Sequence, residues 1–172
     1  MCSSDLQAIG NTDYLVLNTT AAKATSANMW NNTTPTSTVF SVGNTNNNSG
    51  DTYVHYVFAP VAGYSAFGSY TGNGSADGPM IFTGHLPRWI LIKSTGGSLE
   101  NWMLYDTARN TYNVAKNFLM ASSASAELST RSIDILSNGF KIRDADAKLN
   151  TSSEVYIYAT FAESPFKYSN AR

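Results

Sequence analysis

The chain carries one order of strands and loops twice, and this self-similarity constrains its fold more than any other feature. Asp13-Tyr14-Leu15-Val16-Leu17-Asn18-Thr19 lines up with Asn101-Trp102-Met103-Leu104-Tyr105-Asp106-Thr107, 88 residues on. Phe40-Ser41-Val42 matches Phe140-Lys141-Ile142, and Tyr53-Val54-His55-Tyr56-Val57-Phe58-Ala59 matches Tyr156-Ile157-Tyr158-Ala159-Thr160-Phe161-Ala162. The offset grows from 88 to 100 to 103, as loop insertions between matching elements produce. Tyr64 to about Lys93 has no counterpart ahead of Asp13. The sequence thus predicts an N-terminal stub at 1–12, the C-terminal part of a first repeat at 13–63, and a complete second repeat with its tail at 64–172. Residues 2–6, Cys-Ser-Ser-Asp-Leu, read as a translated sequencing adapter, an expectation that a full assembly of the locus tests.

The residue types say what each repeat is made of. In the complete repeat, short runs rich in aromatic and β-branched residues alternate with Gly, Asn and Ser clusters, the pattern of strands and turns. They predict strands at Ala66–Tyr70, Met80–Phe82, Trp89–Lys93, Trp102–Tyr105, Phe118–Met120, Ile133–Leu136, Phe140–Ile142 and Val155–Phe161. Eight short strands in about 100 residues suit an all-β, antiparallel β-sandwich or jelly-roll-like unit. Asn138-Gly139 predicts a type I′ hairpin turn, because both residues tolerate positive φ. In the final strand Val155, Ile157, Ala159 and Phe161 share one face, and Tyr156, Tyr158 and Thr160 the other. The first repeat predicts strands at Tyr14–Leu17, Val39–Val42 and Thr52–Phe58, with a solvated loop at Gly43–Gly50. Ala21–Ala27 and Ala121–Leu128 hold at most a turn or two of helix. Pro60, Pro79, Pro87 and Pro165 belong at strand edges. The short Ala59–Gly63 connection predicts that the two repeats pack together.

Composition narrows the chemistry. Only 13% of residues are charged, against about 25% typically, and Asn, Ser and Thr fill the gap. The net charge of -1 and the lack of a basic run argue against nucleic acid. No run of 18 apolar residues exists to insert in a membrane as a helix, and no secretory leader is visible. One cysteine, Cys2, excludes an internal disulfide framework.

Sites are weighed against their structural explanations. His55 aligns with Tyr158, so an aromatic ring suffices there. His85 lies in a strand-entry turn, and without further His or Cys a zinc site has too few ligands. Asp144, Asp146 and Asp51 lie near Asn-rich loops, but Asp144–Lys148 lacks the glycine and terminal glutamate of a calcium loop. Gly72-Asn73-Gly74 has no helix or lysine behind it and reads as a turn, not a phosphate cradle. No nucleophile elbow appears, and two histidines in unlike contexts give a catalytic triad little to build on. We therefore assign no catalytic, cofactor-binding or metal-ligating residue. Asp106 and Arg109 could hydrogen-bond sugar hydroxyls, but the pair reads first as a loop clamp, since such pairs are common structural features. Trp89, Trp102, Phe118, Phe140 and Phe161 are expected in the core, and Tyr112, Tyr53 and Tyr156 at the surface. Asp106, Arg109 and Tyr112 are the candidate glycan contacts.

From Tyr70 onward the chain resembles a repeat of bacteriophage tail-associated proteins, often marine, known as a domain of unknown function. The resemblance rests on several motifs in order. They are Gly68-Ser69-Tyr70-Thr71-Gly72-Asn73-Gly74, Phe82-Thr83-Gly84, Pro87-Arg88-Trp89-Ile90-Leu91-Ile92-Lys93, Trp102-Met103-Leu104-Tyr105-Asp106 with Arg109, and Ser137-Asn138-Gly139-Phe140. Thr151–Tyr158, Phe161-Ala162-Glu163 and the closing Pro165–Arg172 complete it. His85 departs from the pattern, standing where a ring is usual, and the first repeat lacks the Asn-Gly-Phe turn. Such repeats accompany lectin-like jelly-roll modules. The resemblance implies a non-enzymatic structural or adhesion module of a virion tail appendage, extracellular when mature. It implies other tail proteins and a host-surface glycan as partners, and a homotrimer. A polysaccharide depolymerase or glycoside hydrolase is the alternative, built from two of Asp106, Asp134, Asp144, Asp146, Glu127 and Glu154. A plain spacer is the third reading.

Overall fold

The computed structural model describes residues 8–96 and 100–164 and the backbone of residues 2 and 3. Residues 4–6, Pro165 and the rest of the closing run lie outside the described residues. All eight strands predicted for the second repeat form. They are β4 (Ser65–Thr71), β5 (Met80–Phe82), β6 (Trp89–Ser94), β7 (Met103–Asp106), β8 (Leu119–Met120), β9 (Ile133–Leu136), β10 (Gly139–Ile142) and β11 (Val155–Phe161). Before them come β1 (Cys2–Ser3), β2 (Asp13–Val16), β3 (Ala24–Thr25) and a one-turn helix, α1 (Ala27–Trp30).

Pairing is antiparallel throughout, in sheets ordered β4-β11-β6-β7-β8, β5-β10-β9 and β1-β2-β3. The first strand of the second repeat pairs with the last, and the second with the last but one, which is the nesting of a jelly roll. The five-stranded and β5-β10-β9 sheets enclose the main core, which includes Ile90, Ile92, Met103, Tyr105, Phe118, Ile133, Phe140 and Tyr156. Tyr156 and Ile157 fall on opposite faces, as the alternation predicts, with Tyr156 in the main core and Ile157 on the outer face. The outward face is also covered, because Leu15 of β2 packs on Trp102 and Ile157. The Trp102 indole N–H donates to the Val16 carbonyl at 3.2 Å, and Lys23 N–H to the Thr95 carbonyl at 3.1 Å. Lys93, fully buried on this face, reaches the Thr20 carbonyl at 3.3 Å.

Several expectations are corrected. Ser137-Asn138, not Asn138-Gly139, forms the β9–β10 tip, and neither residue has positive φ. Gly139 belongs to the ladder, where a Cβ would stand 2.0 Å from the Ile81 carbonyl oxygen. Glycine is needed there for the close approach of β5, not for the turn. Tyr156 is fully buried rather than exposed. Its ring stacks on Tyr70 at 5.0 Å, and its hydroxyl donates to the Ala147 carbonyl and accepts from Thr151 N–H. Trp89 and Phe161 are only half-buried, in a ring cluster with Phe58, Tyr64 and Phe67 at one sheet end. Helix forms at Ala27–Trp30, capped by the Ser26 hydroxyl on Asn28 N–H, rather than at Ala21–Ala27. Ala121–Leu128 is not helical; Leu128 bridges to Phe118 instead.

The largest correction lies in the first repeat. Among the described residues, neither Val39–Val42 nor Thr52–Phe58 is a strand, and Val54 to Phe58 make no backbone hydrogen bond. Local geometry nevertheless recurs around them. Asn48 N–H donates to the Tyr53 hydroxyl as Thr151 N–H does to that of Tyr156. Asp51 N–H donates to the Asn48 carbonyl as Glu154 N–H does to that of Thr151. Gly50 and Ser153 both have positive φ, at 88° and 66°. Phe40 meets His55 edge-on at 5.5 Å, and Phe140 meets Tyr158 edge-on at 5.6 Å. What differs is the surroundings: β11 lies between β4 and β6, while Tyr53–Ala59 pairs with no strand among the described residues.

Candidate functional site

The candidate residues gather where β6 begins and β7 ends. Trp89 and Asp106 face each other across that ladder, so the loop after Asp106 leaves from beside Arg88 and Trp89. Asp106 folds the loop back onto itself. One carboxylate oxygen accepts from Ala108 and Arg109 N–H at 3.0 and 2.9 Å, and the other from Arg109 Nε at 2.6 Å. Arg109 also bridges to Glu127 at 3.0 Å. Burial raises the Asp106 carboxyl, but these donors together hold it below its ordinary range.

The rest of the loop is fixed by amides that imitate a strand ladder. Asn110 gives an N–H to the Asn117 carbonyl and accepts one from Asn117 N–H. Asn113 does the same with both backbone groups of Ile135. Tyr112, between these anchors, is 86% exposed, the most open large ring of the described residues.

Two neighbouring clefts share Arg88. One, of about 480 Å³, is bounded by Arg88, Trp89, Asp106, Ala108, Arg109 and Glu127. The other, of about 520 Å³, includes Tyr112, Asn110, Asn113, Thr107 and Glu163 in its wall. Arg88 spans the boundary, donating to the Thr107 hydroxyl at 2.6 Å. Two guanidinium and two carboxylate groups border the first cleft, so it offers paired donors and acceptors rather than a field of one sign. These groups are largely engaged with one another, Arg109 with both Asp106 and Glu127, and Arg88 with the Thr107 hydroxyl.

All three sequence candidates therefore share one region, but in different situations. Asp106 is engaged by its own loop, Arg109 is tied to two carboxylates, and Tyr112 is open. Arg88, which joins the clefts, was not singled out, although Pro87-Arg88-Trp89 marks its strand entry. Glu127 was considered only as a catalytic acid. The other carboxylates are paired elsewhere: Asp146 on Arg131 at 2.5 Å, Asp134 on Arg143 at 3.4 Å, and Asp77 on Lys141 at 2.7 Å and on the same Arg143 at 3.6 Å. Asp144 caps its own turn by accepting from Asp146 N–H. Among the described residues no group of three His, Cys, Asp or Glu gathers as a metal site. His85 is buried under the second cleft; its Nε2 meets the Thr160 hydroxyl at 3.2 Å, and its Nδ1 has no partner.

With this geometry in view, the comparisons place the chain. A family model described as a domain of unknown function, DUF7483, matches residues 3–165, and the chain belongs to that family. No curated protein and no solved structure matches it.

Proposed function

We propose that this DUF7483 protein is a non-enzymatic structural and adhesion module of a phage tail fibre or similar virion appendage. In this reading it is a tandem of one partial and one complete repeat. The recurring turn at residues 48–53 and 151–156 supports the tandem. The antiparallel sandwich, sparse charge and Asn/Ser/Thr-rich loops suit an outward-facing, stacked assembly. Mass spectrometry of purified particles tests the location: absence of this chain from the particles that its genome encodes would defeat it. The proposed trimer is tested separately by light scattering, where a monomer counts against it.

The glycan reading is carried by one observation: Tyr112 stands open on a loop fixed at both ends, beside clefts lined by amides and guanidinium groups. Aromatic faces and fixed polar groups are the usual means of holding a sugar ring. A glycan array with the intact protein tests it, and Tyr112→Ala should abolish any signal while leaving the fold intact. A depolymerase would need a carboxyl raised towards neutrality to serve as acid. Asp106 is shifted the opposite way. Release of reducing ends from a host polysaccharide would favour that alternative instead.

A further inference from the structure

The segment Tyr53–Ala59 has the sequence and entry turn of a central strand but no strand partner among the described residues; its Phe58 ring packs elsewhere, on Phe67 and Phe161 at 6.3 and 5.7 Å. Val54, Tyr56, Val57 and Phe58 are 75, 84, 68 and 64% exposed. In the second repeat the equivalent strand is held on both sides, by β4 over seven residue pairs and by β6 over six. Unsatisfied strand edges with apolar side chains are templates for further pairing.

We infer that Tyr53–Ala59 is a docking strand, and that its partner is a strand pair of the β4 and β6 kind from a unit of this family whose own last strand does not lie between them. This rests on the tandem part of the proposed function and not on the virion or glycan parts. Three observations choose that occupant. Asn48 to Tyr53 already holds the backbone turn that launches β11, so the segment leaves in the direction of a central strand. Phe40 and His55 are already in the edge-on contact that Phe140 and Tyr158 make, so its inward face has begun to pack as in a complete unit. The third is the order of elements: in residues 64–162 both flanking strands, β4 and β6, precede the segment aligned with Asp13–Thr19.

The partner's chemistry follows from β11. Strands must lie antiparallel on both edges, with rings opposite Phe58 in the places that Phe67 and Trp89 take around Phe161, each at 5.6 Å. A second intact copy of this chain fits less well, because its β4 and β6 are already joined through its own β11.

The test adds a peptide of residues 64–96 to the full chain and follows amide exchange at Val54–Phe58, with β11 amides as the internal control. We expect exchange to slow by more than roughly tenfold. Val57→Pro, which removes a ladder donor at a site exposed in the free chain, should cancel the effect while β11 stays protected. A second variant, with residues 64–100 placed directly ahead of Asp13, makes the same comparison within one chain. Slowing of less than about tenfold in both formats would overturn the proposal, as would equal protection in Val57→Pro. Protection already present without peptide, together with sedimentation as a dimer, would assign the strand to a second copy and overturn it as well. None of these results bears on whether particles contain the protein.

Discussion

Tyr53–Ala59 and Tyr156–Ala162 align with the same Tyr, Phe and Ala at three of seven positions and have opposite fates. The second forms the spine of a five-stranded sheet, and in the first Val54 to Phe58 make no backbone hydrogen bond among the described residues. Their entry turns and ring pairs agree, so the difference does not come from local sequence. A strand exists when its donors and acceptors are met from outside, and a sheet edge without a neighbour leaves them to water. Strand propensity is largely a measure of fit to such neighbours.

Equivalent substitutions in the two copies should therefore have unequal costs, and the inequality is what can break the comparison. The greatest is expected at the ring that closes each pair. Phe140→Ala, at a fully buried position, should cost about 3–5 kcal/mol, and Phe40→Ala less than about 1, in denaturant unfolding. Comparable losses would mean that the first copy is packed like the second. Next comes the tyrosine hydroxyl at the entry turn. Tyr156→Phe leaves the buried Ala147 carbonyl and Thr151 N–H unmet and should cost about 1–3 kcal/mol, whereas Tyr53→Phe should stay within about 0.5.

A third substitution tests the core where the copies differ in chemistry. Tyr105 is fully buried with no partner for its hydroxyl, and the aligned residue in the first copy is Leu17. Tyr105→Phe should stabilise the protein by about 1 kcal/mol in the same unfolding measurement. The smallest effect concerns pH. Burial lowers the pKa of His85, so the folded state keeps the ring neutral while the unfolded chain takes up a proton near pH 6.5. Its contribution is complete above that pH and declines as pH falls below it. Melting temperature should therefore drop between about pH 6.5 and 5, and His85→Phe should flatten that slope. Asp106 and Asp146 also have lowered values and act in a separate, more acidic window. Their stabilising charge is present above about pH 4 and lost as pH falls through their folded values.

Much of the second repeat was legible because alternation and turn residues act over a few positions. Ile90, Ile92, Met103 and Tyr105 declare their face by spacing alone. The hairpin tip was misplaced by one residue because Asn-Gly is a local turn signal, whereas the glycine answers to Ile81 on another strand. Tyr156 was misjudged for a similar reason. A tyrosine on an alternating strand looks amphipathic until two backbone partners are found for its hydroxyl. Within the site, the Asp106–Arg109 clamp was legible from their three-residue spacing. Arg88 was not, since it joins the loop only after β6 and β7 pair.

The sequence by itself determined the strands of residues 64–162 and the alternation of their faces, because these follow from periodicities of two and from turn residues. Only the tertiary structure decided which of two matching segments became a strand, and that both faces of the central sheet were covered. It also brought Arg88, Arg109 and Tyr112 into one region. Those outcomes depend on hydrogen-bond partners and apolar surfaces distant in the chain, which no local pattern specifies.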